Sequence, residues 1–218
     1  MATHAEAEEA NRQTRGPKKK MGLNELISLV KSDLSRFAQT FALRGEHYSQ
    51  GRVFWESLLF KAGFQAILFY RISHWFFLKG WIHIAWFIMR LNITLTGAEI
   101  EFNAHIGPRM FIAHPVGIVI GRGTIIGSGV TLFQGVSFGV SSWHADEITK
   151  FPKVGDQCVF FANSTILGDI TIGDNCIVAA RAVVTCDMPE GSLAMGPPVQ
   201  IYPDKGREKI SSWSQRDI

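Results

Sequence analysis

Cysteine is scarce in this 218-residue chain, which has three: Cys158, Cys176 and Cys186. That number rules out a disulfide framework, and the spacing is not that of a zinc site. Reduced thiols fit a cytoplasmic location. Net charge is low, at +3, and the basic residues form no recognisable face, so nothing argues for nucleic acid as a partner. No long uncharged apolar run occurs. The aromatic-rich stretch from Ala66 to Leu95 is interrupted by Arg71, His74, Lys79, His83 and Arg90, so no transmembrane span is expected. Helices packed on one another and on a neighbouring layer account for it, with an interfacial membrane helix as the alternative. Residues 1–20 contain Lys18-Lys19-Lys20 but no apolar run. They do not read as a signal peptide. They read as a disordered basic tail, with membrane or nucleic-acid contact as its alternative role. A Gly-x-Ser-x-Gly elbow is missing, which argues against an acyl-enzyme serine. Gly121-Arg122-Gly123 followed by Gly127 lacks the spacing of a dinucleotide loop. His105 and His144 have no Cys or acidic companions at ligand spacing, so no metal is expected.

What the chain does have is a beat of six. Ile100, Ile106 and Ile112, then Ile120, Ile126, Leu132 and Phe138, then Val154, Phe160, Ile166, Ile172, Val178 and Val184 recur every sixth residue. Two breaks interrupt the series: a two-residue slip after Ile112 and a long insertion after Phe138. Six matches neither the helical period of 3.6 nor the strand period of 2. It matches a hexapeptide solenoid, in which short strands stack as a parallel β-helix. Three hexads make a coil of 18 residues, rising about 4.8 Å per coil. The position after the beat is often small (Gly107, Ala113, Gly121, Gly127, Gly139, Gly173, Ala179), as tight corners with positive φ would require. Four residues after the beat, Ala104, Val130, Cys158, Cys176 and Ala182 suggest a second interior position. Cys158 and Cys176 then stack on successive coils as small buried hydrophobes.

The N-terminal half is helical in pattern. Leu26, Ile27, Val30 and Leu34 share one face, and further segments run from Phe54 to Phe77 and from Trp81 to Met89, punctuated by Gly63 and Gly80. The expected organisation is a tail over 1–20, a helical region over 21–95, and a left-handed β-helix over 96–200 with a loop at 140–152. A flexible tail over 201–218 completes it.

Several segments carry a family likeness. Gly63-Phe64-Gln65-Ala66 with Tyr70-Arg71-Ile72-Ser73-His74-Trp75 resembles the last helical region of serine O-acetyltransferases, members of the hexapeptide-repeat acyltransferases. Ala113-His114-Pro115-Val116-Gly117-Ile118-Val119-Ile120-Gly121 resembles their catalytic coil. The likeness continues through Gln134-Gly135-Val136-Ser137-Phe138-Gly139, Phe151-Pro152-Lys153 and Ile166-Leu167-Gly168 to Gly196-Pro197-Pro198. It covers roughly residues 52–202.

The resemblance implies transfer of an acetyl group from acetyl-CoA to a hydroxyl, with no metal. Such chemistry needs a base to deprotonate a weak nucleophile as it attacks the thioester. The resemblance assigns that role to His114 and an orienting role to Glu99, where the family has Asp. It places the pantetheine arm along the backbone of Gly139, Ala162 and Ala180. Around the acceptor the chain departs from the family. Ala113 replaces an acidic residue, Tyr48 aligns with another, and Lys150-Phe151 stand where Arg-His is usual. Lys150 can hold a carboxylate as a point charge, and Trp143 and His144 lie in the adjoining loop, with His144 a candidate substrate contact. A saccharide or other small-molecule O-acetyltransferase is therefore one alternative, and a non-catalytic trimeric scaffold another. The resemblance also implies a homotrimer, or a dimer of such trimers. Because the chain ends in Ile218, it implies a sulfhydrylase partner engaged through that residue.

Overall fold

The computed structural model describes residues 21–43, 49–142 and 150–196. Residues 1–20, Tyr48, Trp143, His144, Pro197, Pro198 and Ile218, all of which entered the sequence reading, lie outside that range.

Among the described residues fourteen short strands form three parallel sheets. The first joins β1 (Glu99–Ile100), β4 (Val119–Ile120), β7 (Ser137–Gly139), β10 (Thr165–Leu167) and β13 (Val183–Val184). The second joins β2 (His105–Ile106), β5 (Ile125–Ile126), β8 (Lys153–Val154) and β11 (Thr171–Ile172). The third joins β3 (Phe111–Ile112), β6 (Thr131–Leu132), β9 (Val159–Phe160), β12 (Ile177–Val178) and β14 (Leu193–Ala194). The chain visits the sheets in rotation and forms a left-handed parallel β-helix of triangular section.

Every beat residue ends up inside. All thirteen are at most 7% exposed, and they share one core with Ala104, Val130, Cys158, Cys176 and Ala182. The second interior position also takes large side chains, among them Met110, Ile118, Val136 and Ile170. Each fully buried aliphatic or Phe side chain contributes about 1.5–3 kcal/mol. Burial pushes the Cys158 thiol up to about 11, so this sulfur behaves as packing material.

The corners differ from the expectation in one respect. Positive φ occurs three residues after the beat, at Arg109, Gly123, Gly129, Gly135, Gln157, Asn163, Asn175 and Arg181. The small residues immediately after the beat serve close approach instead. A Cβ on Gly107 would meet the Gly127 backbone at 2.7 Å, and one on Gly127 would meet Gly155 at 2.7 Å. Backbone contact between coils, not conformational freedom, selects glycine there.

Among the described residues four helices precede the solenoid: α1 (Leu23–Leu43), α2 (Gln50–Phe60), α3 (Ala62–Leu78) and α4 (Ile82–Thr96). The segment from Phe54 to Phe77, expected to be punctuated at Gly63, divides two residues earlier at Lys61, whose backbone is extended. Gly80, at φ 83°, follows α3 as a turn glycine. Gly63 does not end a helix. It sits in the first turn of α3, where a Cβ would lie 1.9 Å from the Ile112 carbonyl oxygen. Past Arg90, α4 continues until Gly97 closes it in the left-handed conformation.

Residues of α3 cover the open end of the solenoid. In the first coil the alternate N–H groups donate to the second coil, as from Glu99 to Ile118 O and from His105 to Thr124 O. The opposite polar groups have no coil beneath them. Tyr70 Oη donates to Ala104 O at 2.7 Å, and His74 Nδ1 bonds Phe102 O at 2.6 Å. Arg71 donates to Ile106 O and Gly107 O at 2.5 and 2.6 Å and pairs with Asp33 of α1 at 2.9 Å. Asp33 also accepts from Met110 N–H. A sheet end that would otherwise expose unpaired carbonyls is thereby closed.

Candidate active site

The first break in the beat builds the site. Val116 O accepts from Gly135 N–H just as Gln134 O accepts from Asn163 and Ala162 O from Arg181. Val116, Gln134, Ala162 and Ala180 therefore stack in one column along the edge between the third and first sheets. Ala113 keeps register, its N–H donating to Leu132 O. His114 and Pro115 are thus the two extra residues of the slip, pushed out of the stack. His114 is exposed and Pro115 buried.

Glu99 opens β1 on the same edge, one coil earlier. It is exposed and opposite Val119, and Gly117 N–H from the His114 corner donates to Gly97 O beside it. Among the described residues neither His114 nor Glu99 is hydrogen-bonded to another side chain. A second carboxyl, Glu101, stands two residues further along, half-buried. Burial raises its pKa, Arg122 opposes the rise and the Glu99 charge adds to it.

His114 lines a cleft of about 490 Å³ where the α2–α3 junction meets the solenoid. Ala62, Gly63 and Lys61 form one side, and Ile112, Ala113 and Pro115 the other. Phe37, Phe60, Phe111 and Phe133 supply most of the remaining wall. The Gly63–Ile112 approach sets the depth of this cleft, because any side chain at Gly63 would force α3 away. Phe133 stacks on Phe161 at 5.1 Å with rings 19° apart, which extends the apolar wall to the next coil.

The sequence-derived site residues divide between two edges. Glu99, Ala113, His114, Ala162 and Ala180 share the edge just described. Gly139 closes β7 at the other end of the first sheet, on the edge toward the second sheet. Phe151 lies there too, with its ring over Gly121 and Gly123, and Lys150 precedes it, exposed. One chain does not bring Lys150 or Gly139 to His114. The sequence reading missed the phenylalanine wall. Its signal was available: Phe111 and Phe133 flank the beat at outward positions, where an aromatic is unexpected in a solvated coil.

Comparison with known proteins gives the family. The family pattern of bacterial transferase hexapeptide repeats (six repeats) matches residues 151–186. The serine acetyltransferase of Helicobacter pylori is 38% identical over 142 residues, covering 65% of this chain and 82% of that protein. The chain belongs to the serine acetyltransferase family. Crystal structures of serine acetyltransferases share the architecture. That of Neisseria gonorrhoeae superposes with a TM-score of 0.71 at 28% identity, over 88% of this chain and 71% of that one. A serine acetyltransferase in complex with CoA gives 0.70 at 26% identity, over 89% of this chain and 73% of that one. As a member of that family the protein is an acyltransferase.

Proposed function

We propose that this acyltransferase moves an acetyl group from acetyl-CoA directly to an acceptor hydroxyl. His114 is the general base and Glu99 orients and charge-stabilises its imidazole. The observation that supports this reading is the bulge: His114, pushed out of the coil stack, lines a cleft at the edge along which Ala162 and Ala180 stack. An extended thioester arm can lie along that column because small side chains leave its backbone open. A neutral imidazole takes the hydroxyl proton as the oxygen attacks the thioester carbon, and the CoA thiolate leaves.

The cleft favours a ring-bearing hydroxyl compound, such as a saccharide, over serine. Among the described residues, four phenylalanines and Ala113 offer flat apolar surface and no carboxylate for an ammonium group. A site built to pair polar groups loses heavily when those partners are missing. We further infer that a homotrimer in the cytoplasm is the working unit. Packing the His114 edge of one prism against the Gly139–Lys150 edge of the next would gather groups that one chain keeps apart.

Turnover of L-serine against a panel of saccharides, read by thiol release from acetyl-CoA, tests the acceptor. Efficient serine acetylation would overturn the saccharide reading, and no turnover with any acceptor would favour a scaffold. Ala162→Trp should raise KM for acetyl-CoA strongly with the fold intact, whereas an unchanged KM would put the donor groove elsewhere. A monodisperse active monomer in light scattering would contradict the trimer.

A further inference from the structure

Helix α4 buries one face and leaves another without a partner. Ala85, Met89, Asn92 and Thr96 point inward. On the opposite side Ile84, Phe87, Leu91 and Leu95 follow one another at intervals of three or four residues, which aligns them in a stripe. Phe87 is 63% and Leu95 61% exposed, and Trp81 at the start of the helix is a further exposed aromatic, stacked on Phe76. Beside it runs a polar row, with His83 and Arg90 seven residues apart and both exposed. Lys79, at the turn before the helix, is exposed and carries its ammonium over the Trp75 ring.

The charge on this side has one sign. No Asp or Glu occurs between Glu56 and Glu99. The one buried cation of that stretch, Arg71, is neutralised by Asp33 from α1. Among the described residues Lys79 and Arg90 have no ion pair.

We propose that this face docks on an anionic lipid surface, with α4 lying in the plane of the interface. Aromatic and aliphatic side chains on one stripe, with cations beside it and no carboxylate on α3 or α4, are the composition such a surface selects. The helix has 15 residues. At about 1.5 Å each it is shorter than the roughly 30 Å hydrocarbon core, so it lies on the membrane and does not cross it. A second copy is the poorer occupant. A twofold pairing of these faces would set Arg90 and Lys79 against their own equivalents with no carboxylate on α3 or α4 to offset them, and the homotrimer proposed above joins two edges of the solenoid, not this face. The stripe also points toward the active-site edge. Gly97 closes α4 within van der Waals reach of Val116, which is 67% exposed two residues past His114.

Flotation of the full-length protein with vesicles of phosphatidylcholine, alone or mixed with phosphatidylglycerol, tests this. The protein should float with the mixed vesicles, and added salt should weaken the binding. Phe87→Glu combined with Leu95→Glu, both at exposed sites, should weaken it by about tenfold or more. Arg90→Gln should weaken it about fivefold on mixed vesicles and hardly at all on neutral ones. Thiol-release turnover with a soluble acceptor should be unchanged in both variants. A wild type that stays unbound, or a double variant that binds as well as wild type, would overturn the proposal. So would an oligomer that falls apart in the double variant without lipid, which would assign the face to a second copy.

Discussion

The solenoid and the helical cap are held together by different means. In the solenoid each coil rests on its neighbours through ladder hydrogen bonds and a stack of aliphatic side chains, repeated with little variation from Ile100 to Val184. In the cap a few unique polar contacts do the joining: Tyr70 to Ala104, His74 to Phe102, Arg71 to Asp33 and the first coil, and Asn92 Nδ2 to Ala66 O. A repeat spreads an error over many equivalent contacts. A unique buried contact concentrates it. The comparison therefore predicts large effects in the cap and small ones in the coils.

The largest should come from Asp33→Ala. Removing the carboxylate strands Arg71, which is only 2% exposed, and also frees Met110 N–H. Breaking a buried pair from one side costs about 3–5 kcal/mol, readable by urea denaturation. A loss below about 1 kcal/mol would mean that apolar packing alone seats α1 and α3.

His74 comes next and acts through pH. Burial pushes its imidazole down to about 4 from 6.5. The folded protein thus holds a neutral ring that donates Nδ1–H to Phe102 O. A depressed folded pKa gives stability that is complete above about 6.5 and is lost as pH falls toward 4. The full loss amounts to about 3 kcal/mol by the one-unit conversion. Denaturation across that window should be steeper for wild type than for His74→Gln. Parallel slopes would contradict the role of burial.

The smallest effect is expected in a coil. Arg181 is exposed and held at φ 62°. Arg181→Gly keeps the backbone bond to Ala162 O and removes the left-handed strain, so it should raise stability by up to about 1 kcal/mol. That corresponds to roughly 2–4 °C in Tm for a protein of this size. A fall in Tm would show that the side chain contributes contacts the corner needs.

The same contrast explains what could be read from the chain alone. The solenoid announces itself because its interior repeats: one beat residue per strand, each buried. The cap leaves only an aromatic, helical pattern, since contacts such as Arg71 with Asp33 join residues 38 apart with no period to mark them. Tyr70, Arg71 and His74 were visible as a family motif, but their work of closing the solenoid end was not. His114 was legible through the family motif around it, and in the fold the slip in the beat falls on it. The cleft wall was not, because Phe37 and Phe60 come from helices whose docking depends on the Gly63–Ile112 approach. Lys150 and Gly139 were assigned with His114 by the family resemblance, and within one chain the triangular section puts them on another edge.

The most direct test of the account is acetyl-CoA turnover at saturating acceptor by wild type and His114→Ala. We expect kcat to fall by about 10² or more, the usual scale for loss of a general base. Glu99→Gln should cost less, because that residue orients the base without taking the proton. Activity that survives in His114→Ala would contradict the mechanism.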